Sequence, residues 1–398
     1  MIIKNPRIQI IIILSLLTVK ITAFAQKVDV AKQFKYAQEQ TSYMLNTLKE
    51  ADTSNGLVSP RTFEGGKLKL VNSKDWTSGF FPGILWYLYD YTHDEKWLNQ
   101  AQLFTAKITN EQYNRTTHDL GFIIYCSFGN GYRLTKDESY KKVIIQAARS
   151  LSTRFNEKAG VIRSWDHNKD KWKYPVIIDN MMNLELLFKA TKLTGDSSFY
   201  KIAVSHANQT MINHFRPDYS SYHVVDYDPE TGKVIQKNTA QGYSTESAWA
   251  RGQAWGLYGY TMCYRETGDK RYLTQAQNIA KFIFNSPTLP KDLVPYWDYN
   301  DPAIPNTPRD VSAAAIMASA LYELSTYSNG NDYKEKADVI MVNLSNYYKA
   351  PLSTNGDFIL LHSTGNKPAK SEIDVPITYA DYYYLEALLR SREFVKAE

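Results

Sequence analysis

Residues 180–207, NMMNLELLFKATKLTGDSSFYKIAVSHA, decide the fold. The first half is apolar nearly all round, which marks a buried helix. The turn LTGD ends that helix, and its Asp can cap the next one. The second half sets an aromatic and alanines at helical spacing, a packing stripe on a more amphipathic helix.

The same syntax recurs along the chain. YTHDEKWLNQAQ from Tyr91, LTKDESYKKVIIQAA from Leu134, ETGDKRYLTQAQNIA from Glu266 and YSNGNDYKEKADVI from Tyr327 repeat the turn and its stripe. Apolar runs precede each turn: GFFPGILWYLYDY, GFIIYCSFGNGYRL, RGQAWGLYGYTMCYRE and SAAAIMASALYELSTY. YADYYYLEALLRSREF from Tyr379 supplies a sixth inner helix, and residues 29–50 supply a lone outer one. Helix pairs repeating every roughly 40–75 residues mean a solenoid or a ring. Pairing the lone first helix with the lone last one closes a ring. The expectation is an all-α (α/α)6 barrel, with an open helical solenoid as the alternative. SYHVVDYDPETGKVIQKN, residues 221–238, reads as a small β-hairpin in one connection.

The 398 residues, 43% hydrophobic, are ample for one large core. Thirty Tyr and eight Trp suit either a thick aromatic core or surfaces that face sugar rings. The opening MIIKNPRIQIIIILSLLTVKITAFAQ has a basic n-region at Lys4 and Arg7, an apolar run and an A-x-A site ending at Ala25. Residues 1–25 are therefore read as a signal peptide and 26–398 as a single catalytic domain. The alternative is an uncleaved anchor. The mature chain is expected to be exported, periplasmic, and not inserted in the membrane. Cleavage removes Lys4, Arg7 and Lys20 and no acid, so the whole-chain charge of +5 falls by three, to +2. That balance gives no case for nucleic acid. Cys126 and Cys263 each lie in an apolar segment and read as buried thiols, with a single disulfide as the alternative. No His/Cys spacing suggests a metal, and no cofactor is expected.

Inner helices of such a ring run parallel, so the loops before them gather on one face. Those loops carry Asp75 and Trp76; His118 and Asp119; Asp179 and Asn180; Gln241, Trp249, Arg251 and Trp255; Arg309 and Asp310; and Asp374, Thr378, Tyr379 and Asp381. Trp165 and His223 lie in connections that reach the same face. A single Asp at a helix start is ordinarily a cap. Asp119 fits that description, and the question is whether it is also a reagent. Asp179 sits between PVII and NMMN, where a carboxyl must be satisfied or shifted in pKa. A raised pKa makes a general acid at neutral pH. Arg251, with Gln253, has the donors to grip a carboxylate. Trp249 and Trp255 are six apart, so at least one belongs to the core.

The strings DWTSGFFPGILW, HDLGF, IIDNMMNLELLF, HVVDYDPETG, GYSTESAWARGQAWGLYGY and PRDVSAAAI together resemble glycoside hydrolase family 88, the unsaturated glucuronyl hydrolases. The resemblance runs from about residue 30 to the end of the chain. It implies the (α/α)6 fold, Asp179 as principal acid/base and Asp119 as the second catalytic-site Asp. It also implies Trp76, Trp165, His223, Gln241, Trp249, Arg251 and Trp255 as substrate-site residues. The implied substrate is an oligosaccharide ending in a Δ4,5-unsaturated uronic acid, cleaved by hydration of the C4=C5 enol ether. Glycosaminoglycan fragments suit an exported, slightly basic chain. Ser363 and Lys367, in LHSTGNKPAKSE (361–372), partly match a loop that contacts sulfate in related enzymes. The alternatives are an unsaturated rhamnogalacturonyl hydrolase, an inverting glycosidase using Asp119 and Asp179, and a glycan-binding protein without catalysis.

Overall fold

The structure, a computed structural model, describes residues 27–51, 55–328 and 332–395. The signal segment read at 1–25 lies outside them. Among the described residues, twelve α-helices alternate between an outer and an inner layer. The outer helices are α1 (Val30–Glu50), α3 (Glu95–Ala106), α5 (Glu138–Ser152), α7 (Ser197–Asn213), α9 (Lys270–Asn285) and α11 (Tyr333–Tyr347). The inner ones are α2 (Phe80–Thr92), α4 (Asn130–Thr135), α6 (Leu184–Thr194), α8 (Ala250–Thr267), α10 (Val311–Ser325) and α12 (Thr378–Val395). α12 packs against both α10 and α2, which closes the ring. α1 lies against α12 and α2 and is fastened by Gln40 Nε2 donating to Phe358 O at 2.9 Å. The chain is an (α/α)6 barrel, as the repeat predicts.

The repeated turn works through three groups. Thr92, Thr135, Thr194 and Thr267 each donate Oγ1–H to the carbonyl four residues back and accept the N–H of the Asp two residues on. The residue between them, His93, Lys136, Gly195 or Gly268, takes a left-handed conformation and ends the inner helix. The Asp carboxylate then accepts an N–H from the first turn of the outer helix, at 2.8–2.9 Å in all four. Inner helices are buried almost throughout, α10 from Val311 to Tyr322 without a break.

Two inner helices are entered through irregular turns. A nine-residue π-helix, Gly121–Gly129, leads into α4, and a 3₁₀ segment, Ile178–Asn183, leads into α6. Neither distortion is expected from the hydrophobic pattern, and both carry site residues just before or within them.

The β-structure exceeds expectation. β1 (Leu57–Glu64) and β2 (Lys67–Asn72) form an antiparallel hairpin, and β3 (Phe155–Asn156) pairs with β4 (Val161–Ile162). β5 (Pro175–Ile177), β6 (Val224–Tyr227) and β7 (Val234–Asn238) form a three-stranded antiparallel sheet. The hairpin predicted at 221–238 is β6–β7, with β5 added along its edge. Cys126 and Cys263 are buried free thiols.

Candidate active site

The loops that precede the inner helices meet around a cavity of about 360 Å³. Asp119, Asp179, Trp76, Trp165, Gln241 and Arg251 all line it, so residues up to 175 positions apart in sequence share one wall. The volume falls in the range of small-ligand pockets.

Asp179 enters from the 3₁₀ segment and is buried. Desolvation is the main cause that raises its pKa to about 7. The Asp119 charge pushes the same way, while Arg251 and the Trp255 indole act against it. His223, on the turn into β6, faces the same carboxyl: its Nε2 is 3.6 Å from Asp179 Oδ2. His223 Nδ1 accepts the N–H groups of Ala240 and Gln241 at 3.0 and 3.1 Å, which fixes the ring proton on Nε2. Burial lowers the His223 pKa to about 3, so the ring is neutral and gives Asp179 no counter-charge.

Asp119 is partly buried at the entry to the π-helix. Its carboxylate does not cap that helix. Oδ2 accepts from Thr117 Oγ1 at 2.7 Å, and Oδ1 lies 3.2 Å from His118 Nε2. The capping expectation is thus corrected: only the Asp119 backbone carbonyl serves the helix, accepting from Ile123 N–H at 2.9 Å.

Arg251 is fully buried in the wall. Nη1 donates to Asp310 Oδ2 at 2.9 Å and to Thr364 O at 2.6 Å, and Nη2 donates to Gly365 O at 2.6 Å. Asp310 also caps α10 through Ser312 N–H at 3.1 Å. These bonds engage both Nη1 protons and one on Nη2; the Nε–H has no partner, so Nε and the second Nη2 proton are the donors left for a carboxylate. Gln253 points elsewhere, to Ser221 N and Tyr219 O.

Three expected site residues stand behind the wall. His223 packs at a tilt against Trp249, 4.7 Å between ring centres, and Trp249 in turn backs Arg251 at 4.5 Å. Trp255 packs on Phe122 and Tyr383. Ser363 and Lys367 lie outside the cavity. Ser363 is buried and pairs its backbone with Val375. Lys367 Nζ is held by Asp301 Oδ2 at 2.7 Å and Thr307 Oγ1 at 2.9 Å, over the Trp297 ring. Its charge is paired with a buried carboxylate in this arrangement.

Other wall residues escaped the sequence reading. Arg61 on β1 clasps Glu372 with Nε and Nη2, at 2.5 and 2.8 Å, and reaches Asp75 with Nη1 at 2.8 Å. His167 stacks on Trp165 at 5.3 Å between ring centres. The signal for Arg61 was present: LVSPRTFEGGKLKLVN places Gly65-Gly66 between two strand-like runs, a hairpin signature. From SEID the reading singled out Asp374, which pairs at the surface with His362, while Glu372 is the acid that faces the cavity. Among the described residues no group of three or more His, Cys, Asp and Glu is arranged to hold a metal ion.

The family model for Glycosyl Hydrolase Family 88 matches residues 53–394. An unsaturated glucuronyl hydrolase of Formosa agariphila is 53% identical over 327 residues, covering 82% of each chain. An unsaturated chondroitin disaccharide hydrolase of Streptococcus agalactiae is 35% identical, covering 83% of this chain and 85% of its own. A crystal structure of an unsaturated glucuronyl hydrolase specific for heparin superposes with a TM-score of 0.88 at 47% identity, covering 92% of this chain and 98% of that one.

Proposed function

The chain belongs to Glycosyl Hydrolase Family 88, and from that premise we infer that it removes a terminal Δ4,5-unsaturated uronic acid from lyase-generated glycosaminoglycan oligosaccharides. It is a glycoside hydrolase. The relatives' printed activities, on unsaturated glucuronyl and chondroitin disaccharide substrates, support this reading over the rhamnogalacturonyl one.

The observation that carries the mechanism is a cavity-lining carboxyl, Asp179, that keeps its proton up to about pH 7. The substrate's C4=C5–O5 unit is an enol ether. Asp179 gives its proton to C4, and the positive charge that forms at C5 is shared with the ring oxygen. The Asp179 carboxylate then takes a proton from water as the water oxygen bonds to C5. The resulting hemiketal opens, and the glycosidic bond breaks without attack at C1. Ordinary two-carboxylate hydrolysis at the anomeric carbon is not required.

The other groups have supporting roles in this reading. Asp119 holds sugar hydroxyls and, through its charge, helps keep the proton on Asp179. Trp76, Trp165 and Tyr379 supply flat faces for the ring, and Gln241 supplies a polar group at the cavity wall. Arg251 gives the uronate a positive wall, with its Nε–H still unpaired. His223, Trp249 and Trp255 set the shape behind that wall.

The test is a panel of lyase-generated disaccharides, followed by absorbance of the conjugated double bond. Turnover of unsaturated uronides is expected, and Asp179→Asn is expected to lower it by about 10²–10⁴-fold. Near-normal turnover by that variant rejects the assignment. We also propose that the chain is exported to the periplasm, on the n-region, apolar run and A-x-A site of residues 1–25. Mass analysis of the secreted chain should give an N-terminus at Gln26; an intact Met1 contradicts it.

A further inference from the structure

The first N–H groups of any helix have no partner inside it. At the π-helix, Ile123 donates to Asp119 O, and Phe122 donates to the side chain of Asn183 at 3.1 Å. Counting Asp119 as the N-cap makes Phe122 the third helical residue, the position whose N–H an N-cap carboxylate ordinarily takes. Asn183 has taken that bond instead. It is the last residue of the 3₁₀ segment that carries Asp179, and it is fully buried. Gly121 admits it: a Cβ there would stand 2.5 Å from Asn183 Cα and 2.6 Å from its Oδ1. Asp119, relieved of capping, turns to Thr117, His118 and the cavity.

We propose that Asn183 is a positioning residue for the reaction, capping the π-helix from the Asp179 segment so that the Asp119 carboxylate stays in the cavity. One amide thereby fixes the spacing between the two segments that carry the site's acids. The inference rests on the hydration mechanism above for its kinetic readout.

Without the Asn183 amide, the Phe122 N–H is left buried, and Asp119 is the acceptor placed to bond it. That swing draws negative charge away from Asp179. The groups facing Asp179 are Asp119 before the π-helix, which His118 touches in turn, His223 on the β6 turn and Arg251 on α8. Arg61, Glu372, His167 and Tyr379 stand in the same cavity wall. Of the groups nearest Asp179, Asp119 is the one that the lost bond releases. The Asp179 proton is then held less tightly, and the alkaline limb of the pH–rate profile moves to lower pH.

The experiment compares wild type, Asn183→Ala, Asp119→Asn and the double variant on an unsaturated disaccharide across pH. Asn183→Ala should lower kcat by about 10–100-fold, the scale of a small misplacement of a reacting group, and shift the alkaline limb to lower pH. In the Asp119→Asn background the same change should cost far less, because both act through one carboxylate. Leu344→Ala, a buried change in the outer helix α11, should lower the melting temperature and leave the limb in place. Asn183→Leu, which keeps the side chain's size and removes the acceptor, should move the limb the same way if Asn183→Ala folds poorly. An unmoved limb in both cap variants, or independent multiplication of the two losses, overturns the proposal. A crystal structure of Asn183→Ala gives a readout that does not depend on the reaction: Asp119 bonded to the Phe122 N–H is expected, and an unmoved carboxylate contradicts it. Failure of wild type to consume the unsaturated bond counts against the mechanism, not against the cap.

Discussion

Asp179 is comfortable in its surroundings as an acid and costly there as an anion. Its folded pKa, about 7, lies above that of a free Asp, so the folded state binds the proton more tightly. The sign follows: this contribution to stability is full below about pH 4 and is lost as pH rises through about 7. Activity that needs the protonated form should decline through the same window, with an alkaline limb near pH 7 in kcat. Asp179→Asn cannot ionise, so at about pH 8 it should unfold less readily than wild type, by on the order of 1–4 kcal/mol, while losing activity. Denaturation at two pH values, about 5 and about 8, checks this; an equal gain at both contradicts it. Asp179 was legible because an acid between PVII and NMMN has few structural uses. Asp119 was misread as a cap because its helix is capped from 61 residues away by Asn183, a partner that local sequence does not reveal.

At the level of elements, the Thr–x–Asp turn was legible because its hydrogen bonds are local and recur four times with the same partners. The π and 3₁₀ entries were not, because they arise from packing between neighbouring inner helices, as at Gly121 against Asn183. The β1–β2 hairpin brings Arg61 to Glu372, and that clasp anchors the segment before α12 to the cavity rim. Glu372 is nearly buried, so Arg61→Ala leaves a carboxylate with too few partners. A stability loss of about 2–3 kcal/mol and a raised KM are expected, read by urea denaturation and steady-state kinetics. A raised KM without loss of stability would instead point to direct substrate contact. Lys367 is locked to Asp301, so Lys367→Ala should change kcat/KM on sulfated and unsulfated disaccharides by the same factor. A loss confined to sulfated substrates would show that the lysine leaves Asp301 to bind sulfate.

The ring as a whole turns sequence distance into spatial nearness. Its closure, α12 against α2, brings the Tyr379 end of the chain beside Trp76, 4.9 Å between ring centres, and both line the cavity with Asp119 and Asp179. Counting helix pairs was enough to anticipate that closure. It was not enough to say which side chains point inward, because Trp249 and Trp255 share a string with Arg251 and yet stand behind it. The central claim is that this cavity protonates C4 rather than attacking C1. Proton NMR of the reaction in D₂O tests it most directly. The account predicts that the first-released sugar acid has lost its C4 vinyl signal and carries one deuterium, in one configuration, at C4. A released sugar that keeps its C4 vinyl proton, with only the anomeric centre altered, would contradict it.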